Sequence, residues 1–179
     1  MSTKDGGHGA DGYASWYREE ERHLTARLTH LSTDARTTLA ALTAVRLLPR
    51  FHRFHAETGK GDPDVLAKAL DDVWNRLEEG TPVAFPTYQA CFDQLSLVGD
   101  SSGPLAEIAW YSAAAVTNAC HVSVNGGIRE ALHCLRYGRE SALLVSGYSA
   151  SAPTCPRRHD ALLQEEIRRQ MIDLDAVAA

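Results

Sequence analysis

The sequence lacks the features of membrane, exported and nucleic-acid-binding proteins. No run of about 18 apolar residues occurs in the 179-residue chain, which excludes a membrane-spanning helix. The first residues, MSTKDGGHGADG, contain no apolar signal region, so we expect no signal peptide and predict a disordered tail over residues 1–12. Eighteen Lys and Arg face 23 Asp and Glu, and this net charge of −5 predicts no nucleic-acid partner.

Cysteine is scarce and lacks the spacing of a metal or redox motif. The four cysteines are Cys91, Cys120, Cys134 and Cys155, and no two of them form a C-x-x-C pair. We interpret them as free thiols of a cytoplasmic protein, mostly buried as small apolar side chains. The sequence contains no cofactor motif, and we predict no cofactor.

The apolar residues repeat with helical periodicity, and no segment alternates apolar and polar residues for long. Residues 13–179 therefore predict an all-α, single-domain helical bundle of about seven helices. We expect Pro49 to kink or divide the second helix. Trp74 flanks the strongest apolar stripe and is predicted to be buried. In the fourth helix, the predicted apolar stripe is Phe85, Tyr88, Phe92 and Leu95.

The stretch ETGKGDPDV, residues 57–65, resembles a phosphate loop at first sight because two glycines flank a lysine. However, a helical pattern precedes the glycines, and Asp62 stands where a phosphate loop has Ser or Thr. A helix–turn–helix interpretation explains more residues. Gly59 ends one helix in the left-handed conformation, Gly61 continues the turn, Asp62 caps the next helix and Pro63 is its first residue.

The same stretch carries a family resemblance. LPRFHRFHAETGKGDPDVLAKALDDVWNRL, FPTYQACF and the closing HDALLQEEIRRQMIDL occur in the same order as the hallmark segments of the YjaG-like family, bacterial all-helical proteins of unassigned function. The resemblance implies a single YjaG-like helical domain in the bacterial cytoplasm, and it implies no catalytic residues. Residues 120–151 depart from the family pattern, so a function special to this protein would lie there.

Two Glu-x-x-His pairs, Glu20 with His23 and Glu130 with His133, are candidate metal ligands. Residues three apart share one helix face, and paired motifs of this kind hold di-iron sites in four-helix bundles. We favour no metal, because Glu20 lies in the charged stretch REEER, which is typical of an exposed face. The catalytic residues, if any exist, are unknown.

Cys120 and His121 form a candidate thiol pair, since an adjacent imidazolium lowers the pKa of a thiol. Neighbouring side chains point about 100° apart on a helix, however, which favours simple packing.

The hypothesis that fits these observations best is a non-catalytic helical protein with an accessory, regulatory or immunity role. It would act by binding a macromolecular partner, either another protein or further copies of itself. The alternative is a metal-dependent or small-molecule enzyme whose site lies inside the helical bundle.

Overall fold

The computed structural model describes residues 8–147 and 160–179. These residues form seven helices and no strand: α1 (His8–Thr29), α2 (Thr33–Thr58), α3 (Pro63–Glu79), α4 (Phe85–Gly99), α5 (Pro104–Asn125), α6 (Ile128–Val145) and α7 (Ala161–Ala178). The predicted all-α fold of about seven helices is confirmed. Within the described ranges, no helix combines the length and apolar character needed to cross a membrane.

Helix boundaries follow local capping chemistry. Ser32 begins α2, and its hydroxyl accepts a hydrogen bond from the Ala35 N–H. Three helices end at glycines with positive φ, namely Gly59 after α2, Gly80 after α3 and Gly126 after α5. Three helices begin with proline at the first or second position. An N–H group there has no acceptor within the helix, so its absence in proline costs no hydrogen bond.

Two helices extend through residues that disfavour a helix. The first helix begins at His8, inside the segment predicted as a disordered tail, and residues 1–7 lie outside the described part of the chain. Extending an existing helix adds one hydrogen bond per residue without a new nucleus, which offsets the low helix propensity of Gly9 and Gly12. Of the kink or division predicted at Pro49, the division does not occur, because α2 continues through this residue. The carbonyl of Val45 loses its helical donor there, but Val45 is exposed, so water can replace that donor.

The core forms around α5, which packs against α2, α3, α4 and α6. Small buried residues allow this close approach, since Ala109, Ala113, Ala115 and Ala119 of α5 are all fully buried. The Ser112 hydroxyl donates to the Leu47 carbonyl of α2 at 2.9 Å, so a buried polar group on this helix also has a partner.

Polar contacts hold α7 against the bundle. Arg46 of α2 contacts Asp173 at 2.5 Å and Glu166 at 3.4 Å. Arg139 of α6, only 1% exposed, donates to the Gln170 side chain at 2.8 Å, and Gln170 donates to the Leu135 carbonyl at 2.8 Å. The last helix is therefore part of the same domain.

The fourth helix is oriented differently from the prediction. Its buried residues are Cys91, Gln94 and Val98, whereas Phe85 and Phe92 of the predicted apolar stripe are 73% and 49% exposed. Trp74 is only partly buried against the core, while Cys91 is fully buried. Phe85 and Phe92 of the predicted stripe therefore face outward, whereas Tyr88 and Leu95 are half-buried and pack against the core.

Candidate functional site

The turn at residues 59–63 ends α2 and caps the start of α3. Gly59 has φ 69° and ψ 7°, and the Asp62 carboxylate accepts a hydrogen bond from the Asp64 N–H at 3.0 Å ahead of Pro63. The Asp62 N–H donates to the Gln94 side-chain oxygen at 2.7 Å, which ties the turn to α4. Lys60 donates to the Ser101 hydroxyl at 2.9 Å. These contacts join the turn between α2 and α3 to α4 and to the residues that follow α4.

The first candidate metal pair lies at the surface. Glu20 contacts the Arg139 guanidinium at 3.8 Å. The His23 side chain is 75% exposed and lies 3.8 Å from Glu19. A shallow pocket beside both residues, of about 310 Å³, is lined by Leu24, Arg27, Ile167 and Met171. The positive charge of Arg139 beside the Glu20 carboxylate opposes cation binding there.

The second pair also has other partners. Glu130 accepts a hydrogen bond from Arg129 at 3.0 Å, and the His133 ring packs 6.2 Å from the Tyr137 ring. Burial opposes ionisation of Glu130, but its own backbone N–H, Arg129 and His121 together hold its pKa below the usual range. Within the described ranges, no hydrogen bond or ion pair joins the two Glu-x-x-His pairs, and no three His, Cys, Asp or Glu side chains form a group suited to a metal ion.

Cys120 and His121 face different environments. Cys120 is fully buried, with Sγ 3.9 Å from the Ala69 carbonyl. A hydrogen bond with Cys91, together with burial, raises the pKa of the Cys120 thiol well above its ordinary value. The structure therefore contradicts an activated thiol: the 100° rotation between neighbours places Cys120 in the core and His121 at the surface.

Instead, His121 belongs to an apolar groove between α4 and α5. The groove has a volume of about 270 Å³ and is lined by Val83, Phe85, Tyr88, His121 and Val124. Phe85 is 73% exposed and Val124 is 66% exposed. The Tyr88 ring lies 5.7 Å from the His121 ring. Bulky apolar side chains thus surround an opening at the surface.

A polar edge borders this groove. His121 Nδ1 lies 3.9 Å from the Glu130 carboxylate, and the Asn125 side-chain amide lies 3.0 Å from His121 Nε2. Arg129, paired with Glu130, is 78% exposed. The structure therefore brings together His121 and Glu130, which the sequence placed in two separate hypotheses. An apolar opening with a polar edge is typical of a protein-binding surface.

The apolar surface continues along α4. We call Phe85, Gln89, Phe92 and Ser96 the α4 face; they lie four, three and four residues apart, and all are exposed. Leu97 next to this face is 49% exposed. The 15-residue helix contains one charged residue, Asp93. Single exposed apolar residues are ordinary on protein surfaces, but Phe85, Phe92 and Leu97 are exposed together on a helix nearly free of charge.

A second cluster of titratable groups joins α1, α5 and α6. Arg136 lies 3.9 Å from both Glu21 and Glu140 and 5.8 Å from the centre of the Tyr17 ring. Burial, with a smaller effect from Glu140, raises the pKa of Tyr111 to about 12. The carboxylates share an arginine, so this cluster holds α1 on the bundle.

Sequence reasoning missed Gln89 and Val124 as exposed residues and Val83 as a buried wall of the groove. The available signal was the single charge between residues 85 and 99, since an exposed helix usually carries several. The apolar stripe was instead interpreted as core, because periodicity locates a face without showing what it contacts.

Comparison with known proteins supports the fold and leaves the activity open. No curated protein matches the chain. The fold is similar to the crystal structure of a DUF416 family protein from Shewanella baltica OS155, with a TM-score of 0.71 and 17% sequence identity over 86% of this chain and 83% of that one. Residues 23–101, which include the turn and α4, match the model of the family described as "Protein of unknown function (DUF416)".

Proposed function

We propose that the protein is a non-catalytic helical protein that acts by binding another protein chain through the groove and the α4 face. The observation that carries this proposal is the outward orientation of Phe85 and Phe92 on a helix with one charged residue. Interface centres are enriched in aromatic residues and depleted of charge. An accessory, regulatory or immunity role fits a protein that works by such contacts.

The size of the groove favours a protein side chain over a free small molecule. Small-molecule sites usually occupy about 300–1,000 Å³ and enclose most of the ligand. This groove, at about 270 Å³, is smaller and open to the surface. It has room for one bulky apolar side chain presented by a partner chain.

The exposed side chains can supply much of a binding free energy. Burying a phenylalanine or valine side chain contributes about 1.5–3 kcal/mol relative to full exposure. Phe85, Phe92 and Val124 are each between about half and three quarters exposed. Covering them together therefore yields on the order of 3–5 kcal/mol before the cost of association. A few such anchors dominate most protein interfaces.

Site-specific photocrosslinking tests the proposal. Benzoylphenylalanine would replace Phe85 in the full chain, and illumination in the source cell would trap whatever protein lies against it. The matched control places the same group at Ile172 of α7, which is 53% exposed and lies on a different helix. We expect a discrete protein adduct from position 85 that is absent from position 172. The same adducts from both positions, or none from either, would refute the proposal.

We further propose that the chain is a YjaG-like protein of the bacterial cytoplasm. The ordered hallmark segments support the family name, and TGKGD forms the turn between α2 and α3 that is tied to α4 through Gln94. Three buried free thiols, Cys91, Cys120 and Cys134, agree with a reducing compartment. Subcellular fractionation of the source cell, followed by immunoblotting of each fraction, tests the location. Recovery of the protein in the membrane pellet or the medium would contradict it.

A further inference from the structure

A larger cavity lies at the other end of the α4–α5 pair from the groove. It has a volume of about 500 Å³, and we call it the Trp110 cavity; its walls include Val98, Gly99, Ser101, Pro104, Glu107 and Trp110. We infer that this cavity binds a small organic cation, an ammonium compound with an apolar body. The groove borders the first residues of the 15-residue α4, so about 20 Å of helix separates the two openings. The inference is therefore independent of partner binding at the groove.

The size of the Trp110 cavity suits a whole small molecule. Small-molecule sites usually occupy about 300–1,000 Å³ and combine apolar walls with a few polar groups. Val98 and Ala106 supply apolar walls that belong to the core. Backbone hydrogen bonds hold the connection between the two helices: the Ser101 N–H donates to the Val98 carbonyl at 2.9 Å, and the Glu107 N–H donates to the Gly103 carbonyl at 3.1 Å. The cavity is thus built by the fold.

Glu107 gives the cavity a negative charge that has no ion-pair partner in the described part of the chain. The half-buried Glu107 carboxylate accepts a hydrogen bond from the Tyr111 hydroxyl, which is uncharged. Its acidic neighbours Glu140 and Glu21 share Arg136 instead. Burial of a charge is costly unless an opposite charge accompanies it. A cationic ligand in the cavity supplies that charge.

Trp110 provides the second feature of a site for an organic cation. It follows Glu107 by three residues on α5, so the two side chains share one helix face. The indole packs edge-on against both Tyr111 and Tyr137, with ring centres 5.7 Å apart in each pair, which fixes its position. Tryptophan attracts cations more strongly than the other aromatic side chains do. A carboxylate and an indole on the same wall therefore favour an organic ammonium group.

The same residues disfavour an anion or a bare metal ion. Pro104 begins α5 beside the cavity, and the start of a helix attracts anions, but Glu107 already places a negative charge in the first turn. A hard metal ion requires several oxygen ligands, and Glu107 is the only carboxylate among the described wall residues. Lys60 donates to Ser101 at 2.9 Å, but its side chain is exposed, so water screens its charge.

Fluorine NMR of the full chain labelled with 5-fluorotryptophan measures binding beside Trp110. The chain has three tryptophans, and Trp110→Phe identifies the resonance of Trp110. Choline and its neutral isostere 3,3-dimethylbutan-1-ol form one pair of probes, and butylammonium and butanoate form the other. We expect both cations to shift the Trp110 resonance saturably and to bind at least about tenfold more tightly than their counterparts. Equal binding of choline and its isostere, tighter binding of butanoate than of butylammonium, or no saturable shift overturns the inference.

Replacing Glu107 tests the role of its charge. Glu107→Gln retains the shape of the side chain and should weaken choline binding at least about tenfold, because a hydrogen-bonded or paired charge contributes that much. Glu79→Gln is the matched control, since Glu79 is exposed near the end of α3, where Arg76 contacts Ser123 at the far end of α5. It should bind choline like the wild type. Equal affinities of the two variants overturn the inference.

Filling the cavity provides a test that leaves Glu107 and Trp110 in place. A Cβ atom added to Gly99 meets nothing within 4 Å, and Gly99 does not have a positive φ, so Gly99→Leu introduces a side chain without backbone strain. We expect this variant to weaken the binding of both cations at least about tenfold by occupying the space of the ligand. Circular dichroism melting checks that each variant folds. Wild-type affinity of the folded Gly99→Leu chain overturns the inference.

Discussion

Replacing Gly61 with alanine measures how tightly the turn packs on the core. Gly61 has φ +70°, and a Cβ atom added there would lie 2.7 Å from Phe51 Cζ and 3.1 Å from Phe51 Cε1. The Phe51 ring is fully buried, with Phe54 packed 6.1 Å away between ring centres, so it cannot turn toward solvent. The new methyl group must therefore displace either the ring or the turn.

Gly59 provides the matched control in the same turn. It has φ +69°, nearly the same conformation, but a Cβ atom added there meets nothing within 4 Å. Gly59→Ala therefore costs only the left-handed conformation, about 1–2 kcal/mol. Gly61→Ala adds the cost of overpacking a core, typically 1–3 kcal/mol, so its expected total is about 2–5 kcal/mol. The difference between the variants isolates the packing contribution.

Urea unfolding followed by circular dichroism gives both free energies. For a chain of this length, each kcal/mol also lowers the melting temperature by about 2–4 °C. We expect Gly61→Ala to be less stable than Gly59→Ala by at least about 1 kcal/mol, with unchanged denaturant dependence. Equal destabilisation of the two variants would refute the packing argument and leave only the backbone conformation as the reason for both glycines.

Three further measurements test the chemistry of individual side chains. Asp62→Ala should lower the free energy of unfolding by about 1 kcal/mol because α3 loses its cap, whereas Asp62→Asn should change it little; equal losses would contradict capping. Cys91, Cys120 and Cys134 should react with a thiol reagent only after unfolding, and fast native labelling would contradict their burial. Burial raises the pKa of Glu140, so ionisation of this carboxyl disfavours the folded state. The free energy of unfolding of Glu140→Gln should therefore increase relative to that of the wild type as pH rises from about 4 to about 7. A difference between the two chains that does not change with pH would contradict this.

Local sequence signals predicted the helices and turns because their causes are local. The turn at residues 59–63 depends on a glycine, a carboxylate and a proline that act on backbone atoms within two or three residues. Pro49 shows the limit of the same reasoning. A proline disfavours a helix interior, but tertiary contacts on both sides, through Leu47 and Phe51, keep α2 continuous around it.

Periodicity alone did not identify the candidate surface, because exposure is a tertiary property. Periodicity correctly indicated that Phe85 and Phe92 share one side of the fourth helix. Whether that side faces the core depends on which other residues find partners there. Glu130 and His121 illustrate the same limit, since nine residues and a helix boundary separate them in sequence, and the turn at Gly126 brings them within 3.9 Å.

The orientation of α4 follows from the contact between Gln94 and the turn. Gln94 is buried and accepts the hydrogen bond of the Asp62 N–H, a backbone donor that would otherwise lack a partner near the core. Phe85 precedes Gln94 by nine residues and Phe92 precedes it by two, which places both about 160–180° from Gln94 around the helix. Once the amide of Gln94 faces the turn, both rings must face solvent. The turn motif therefore does more than reverse the chain: through Gln94, it presents the aromatic residues with which we propose the protein binds its partner.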